Sequence, residues 1–125
     1  MNSFSAMEKE ICKIYHNPIG IAFRWQIPFE KTSENVQVVF NNMGFHLSKE
    51  EIELFSYQVA CSRESISSYD RCAFKKDCKN ILLETPSASV SLAVNENELE
   101  QLDDLLNGTL FWINLKDYLK NHCKN

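Results

Sequence analysis

The spacing of apolar and polar positions changes along the chain, and each change marks the edge of an element. In "EICKIYHNPIGIAFRWQI", β-branched and aromatic residues flank Asn17-Pro18 with Gly20 close behind, the pattern of two strands joined by a turn. A helix competes for residues 5–15, because Ser5 and Glu8 have capping-box spacing and Met7, Ile11 and Ile14 share a helical face. Both readings of that segment stay open. In "IPFEKTSEN", Pro28 removes a ladder donor and a polar cluster follows, so a loop is expected. "VQVVF" then places Val36, Val38 and Phe40 on one face, and "NNMG" can reverse the chain into "FHL", where Phe45 and Leu47 share a face.

At Ser48 the period switches from two to that of a helix. Ser48 and Glu51 form a capping box, and Ile52, Phe55 and Val59 follow at helical intervals, which predicts a helix over residues 49–61. "SRESISSYDRCAFKKDCK" breaks both periods and reads as the longest connection, with room for a short helical turn. "NILLET" and "ASVSLAV" flank Pro86-Ser87 as a third hairpin, in which Val90, Leu92 and Val94 alternate with small residues. Asn95 and Glu98 repeat the cap, Leu99, Leu102, Leu105 and Leu106 form the buried stripe, and Asn107-Gly108 is expected to end the helix. The tail begins extended at "TLFWIN" and closes with a short helix carrying Leu115, Tyr118, Leu119 and His122, capped by Asn114.

The stretch "FHLSKEEIELF" (45–55) aligns without a gap on "LAVNENELEQL" (92–102): strand end, cap, glutamate and helical anchors coincide. His46 falls opposite Ala93, on the face away from the core, so a structural account of "FHLSKEE" needs no chemistry from the histidine. The expected fold is a single compact α+β domain over residues 1–125. It has a mainly antiparallel sheet built from hairpins, with helices packed on one face in two hairpin-plus-helix units.

A chain of 125 residues suffices for one core. Its formal net charge of -4 repels a phosphate backbone, which argues against nucleic acid as a partner. The start "MNSFSAMEKEICKIY" lacks the basic and apolar regions of a signal peptide, and "TLFWINL" is far shorter than the roughly 20 residues that span a bilayer. Five irregularly spaced cysteines do not form a paired disulfide framework, so a reducing cytoplasm is the expected location and no membrane association is expected.

Thiolate and imidazole are the ligands zinc prefers, and Cys12, His16, Cys72 and Cys78 could supply a set. The spacing is loose: four residues apart on a strand, Cys12 and His16 would point to the same face at roughly 13 Å separation. Buried thiols acting as small apolar groups are the competing explanation. Cys72 lies among Arg71, Lys75, Lys76 and Lys79, which could favour its thiolate, although a solvated basic loop accounts for them equally. Glu98, Glu100, Asp103 and Asp104 lie in the acidic-favouring first half of a helix, and no phosphate-loop, GxSxG or HExxH pattern is present. No catalytic set emerges and no enzyme is expected. Arg24, Trp25 and Phe29 are the candidate binding residues, since Arg and Trp anchor interfaces. The segment around Trp112 is expected in the core.

From "CKIYHNPIGIAF" through "VQVVFNNMGFHLSKEEIELF" to "ILLETPSASVSLAVNENELEQLDDLL" the chain resembles a group of small bacterial proteins of unknown function. That resemblance implies no activity. The expected role is therefore protein binding with no cofactor, self-association being the favoured form, and a small zinc protein the alternative.

Overall fold

The computed structural model describes residues 10–26, 34–67 and 81–122, which form six strands and two helices. β1 (Glu10–Asn17) and β2 (Gly20–Gln26) pair as an antiparallel hairpin. Residues 10–15 are therefore strand: their β-branched and aromatic positions pair with β2 instead of completing a helical turn. Residues 5–9 lie outside the described segments. Asn17 organises the turn, its Oδ1 accepting the N–H groups of Ile19 and Gly20 at 3.0 and 3.2 Å.

β3 (Val36–Phe40) and β4 (Met43–Leu47) form the second hairpin. Its reversal takes two residues rather than the four of "NNMG": Asn41 adopts φ 53°, a left-handed conformation asparagine tolerates, and Met43 and Gly44 already belong to the strand. The strands form an antiparallel meander in the order β1-β2-β3-β4.

β5 (Ile81–Glu84) and β6 (Ser91–Val94) make the third hairpin, but they form a two-stranded sheet of their own. Leu83, Leu92 and Val94 are buried, whereas Val90 lies before the strand and is exposed. The connection is tied by Thr85, whose Oγ1 lies 2.8 Å from Val90 O and accepts the Ser87 N–H at 3.2 Å.

Both capping boxes form. α1 (Lys49–Ser67) starts where Ser48 Oγ accepts the Glu51 N–H at 3.2 Å and Glu51 Oε1 accepts the Ser48 N–H at 2.8 Å. α2 (Glu96–His122) repeats this with Asn95 and Glu98 at 2.7 and 3.0 Å. α1 runs six residues beyond the expected end at Cys61, and Arg63 in that extension pairs with Asp103 of α2 at 2.6 Å.

α2 is longer still. The expected stop at Asn107-Gly108, the extended segment at 109–114 and the cap at Asn114 are replaced by one helix of 27 residues. Its buried stripe of Leu102, Leu105 and Leu106 continues through Thr109 and Ile113, so the core face never lapses. Gly108 is a packing position: a Cβ there would overlap the ring of Tyr15.

Val36, Val38 and Phe40 of the large sheet, Ile52 and Phe55 of α1, the α2 stripe and the inner residues of β5 and β6 share one buried cluster. The architecture is α+β, with the two helices packed on one face of the meander. Phe45 and Phe55 meet edge to face at 5.5 Å, so the first strand-to-helix unit packs through the residues aligned with Leu92 and Leu102 of the second.

Candidate functional site

A β-bulge decides which side chains of β1 face α2. Lys13 pairs with Phe23 and Tyr15 with Ala22, which leaves Ile14 as the extra residue. Ala22 is fully buried, so Tyr15 and Ala22 point inward; alternation then turns Arg24 and its partner Cys12 inward too, while His16 and Ile21 point outward. Cys12 and His16 therefore lie on opposite faces of the strand, not on the same face as unbroken alternation implied. Cys72 and Cys78 lie outside the described residues. Among the described residues, no group of three or more His, Cys, Asp or Glu side chains is placed to hold a metal ion.

The same alternation separates Arg24 from Trp25. Trp25 is on the outer face of the sheet, edge to face with Phe23 at 5.2 Å and paired with exposed Ile11. Arg24 is on the inner face. Phe29 lies outside the described residues.

Arg24 and Cys12 form one wall of a cleft, with Ile14 beside them and Lys13 at the edge. The opposite wall is the second half of α2: Trp112, Ile113, Leu115, Lys116 and Leu119. The cleft has a volume of about 270 Å³ and is mainly apolar. Among the described residues, the buried Arg24 Nε–H has no hydrogen-bond partner. Cys12 is a half-buried free thiol.

The expectation of a buried Trp112 segment fails except at one residue. Ile113 is 2% exposed, whereas Phe111 and Trp112 are 60% and 46% exposed, and Tyr118 and Leu119 further on are 58% and 46% exposed. The helical turn explains the split: at about 100° per residue, Ile113 continues the stripe of Leu102, Leu106 and Thr109 while Trp112 falls to its side and Phe111 to the opposite face. Phe111 and Trp112 pack edge to face at 5.5 Å.

The carboxylates of α2 hold structure together. Asp104 Oδ2 accepts the Tyr15 O–H and an Asn17 Nδ2–H, each at 2.9 Å, and Asn17 Nδ2 also donates to Gln101 O at 2.8 Å. This latch fixes the β1–β2 hairpin, and so the cleft, against α2. The hydrogen bond to Asp104 raises the Tyr15 pKa above its ordinary value, because it stabilises the protonated phenol. Asp103 bonds Arg63 and Asn107, and Glu98 caps the helix. His46 is exposed, its Nδ1 3.2 Å from Gln37 Oε1 across the strand pair.

Arg24 is a candidate binding residue on sequence grounds, but its cleft is not readable there: the wall it faces is about ninety residues away in the chain. No helix among the described residues is long and apolar enough to cross a membrane. No curated protein and no solved structure matches this chain. A family model does match, over residues 7–122, and the chain thereby belongs to a family of unknown function, DUF6686.

Proposed function

We propose that the protein is a non-catalytic binding module of the cytoplasm that docks a polypeptide on the second half of α2, the occupant being a second copy of the same chain. One observation carries this reading. Tyr118, Phe111, Leu115, Leu119 and Trp112 fall in that angular order within one arc of about 120° on the helix, and all except half-buried Leu115 are exposed. From residue 116 to residue 121 every position is exposed, so burial among the described residues does little to stabilise these turns of α2.

The arc is self-complementary in its spacing. Phe111 and Trp112 precede Leu115 by four and three residues, and Tyr118 and Leu119 follow it by three and four. Two copies crossing antiparallel at Leu115 lay Phe111 against Leu119 and Trp112 against Tyr118, and the reverse, as a two-fold interface demands. A contact confined to about three helical turns belongs to the small, transient interfaces, so micromolar dissociation is expected.

Sedimentation equilibrium across concentration tests the reading. The mass should rise from 14.5 kDa towards twice that value by about 100 μM. Phe111→Asp should hold the chain at the single-copy mass with unchanged far-UV circular dichroism. A single-copy mass at every concentration, or association indifferent to Phe111→Asp, would remove the proposal.

A further inference from the structure

We propose that the cleft between the β1–β2 hairpin and α2 is a binding site for a small apolar monocarboxylate of the medium-chain acyl type, with the carboxylate held by Arg24 and Lys116. The inference goes beyond self-association, although Trp112, Leu115 and Leu119 border both surfaces.

Charge is the first ground. The chain has 17 acidic against 13 basic residues, yet the cleft lining includes Arg24, Lys116 and, at its edge, Lys13, with no carboxylate among the described lining residues. Like charges gathered beside an apolar wall repel one another until an anion joins them. Alternation turns the Lys13 side chain towards the outer face, so it contributes to the field rather than to direct contact.

Hydrogen bonding is the second ground. Arg24 projects from the inner face of β2, and its buried Nε–H has no partner among the described residues. An unmet donor in a desolvated position is costly, and a carboxylate meets a guanidinium through two parallel hydrogen bonds, one of which can use Nε.

Shape and polarity supply the rest. The walls beyond the two cations are Ile14, Trp112, Ile113, Leu115 and Leu119, which suit a hydrocarbon body and would leave a hydrated phosphate poorly solvated. At roughly 30 Å³ for each water-sized group, a cleft of about 270 Å³ accepts about nine non-hydrogen atoms, so an eight-carbon acid fills it and leaves about one atom at the open mouth.

Isothermal titration of the full chain with octanoate, octan-1-ol and inorganic phosphate tests this. Octanoate should bind saturably, one per chain, at least tenfold more tightly than octan-1-ol, and phosphate should not displace it. Arg24→Met should weaken octanoate at least tenfold and leave octan-1-ol unchanged. Lys116→Gln, at an exposed helix position that does not threaten folding, should weaken octanoate several-fold. Phe111→Asp, outside the cleft lining, should lose self-association and keep octanoate binding, which separates the two proposals. No saturable octanoate binding, equal affinity for acid and alcohol, displacement by phosphate, or loss of octanoate binding in Phe111→Asp would overturn the proposal.

Discussion

At Gly108 the missing side chain lets the Tyr15 ring rest directly on α2, where its hydroxyl reaches Asp104. Two effects oppose each other at this position. Gly108→Ala would gain about 1 kcal/mol of helix propensity, but the new methyl must displace the ring and break the latch, an overpacking cost of about 1–3 kcal/mol. The expected net effect is destabilisation in the wild-type chain. In a Tyr15→Ala background the same substitution should become stabilising, because only the propensity gain remains. Urea midpoints of the four proteins measure this coupling, and a stabilising Gly108→Ala in the wild type would show that the ring yields without loss. By local pattern this glycine signals a helix stop, because the residue opposing it is distant in the chain. Arg24 stands out as a candidate binding residue by its chemistry alone, whereas its separation from Trp25 needed the strand to be located.

Among the elements, the two helix starts were the most legible, since a capping box is a contact between residues three apart. They are not equal in weight. The Asn95 box is partly buried with a 2.7 Å bond, and its Glu98 also accepts from Asn41 of the β3–β4 turn at 3.4 Å; the Ser48 box is exposed with a 3.2 Å bond. Asn95→Ala should therefore cost more than Ser48→Ala, each on the order of 1 kcal/mol, and Asn95→Gly should recover most of the loss. Thermal unfolding of the three variants checks the order, and equal losses would show that the tie to Asn41 adds nothing. Helix ends were less legible. α1 outlasts its apolar period because Arg63 finds Asp103 on the neighbouring helix, and α2 passes Gly108 because Thr109 and Ile113 are buried.

Across the whole molecule, residues of both sheets and both helices meet in one buried cluster, with Leu106 fully buried within it. Leu106→Ala should cost about 2–5 kcal/mol. Unfolding should follow one transition, with tryptophan fluorescence and far-UV circular dichroism coinciding, in the wild type and the variant alike. Two separated transitions would mean that the two hairpin-plus-helix units unfold independently. By itself the sequence determined the second and third hairpins, the two caps and the inward faces of β3, β6 and the helix starts, all set by residues close together in the chain. Tertiary structure alone decided the bulge at Ile14, the division into two sheets, the continuity of α2 and the cleft at Arg24. Each depends on a partner remote in the chain, as Tyr15 is from Gly108, and local periodicity carries no record of such a partner.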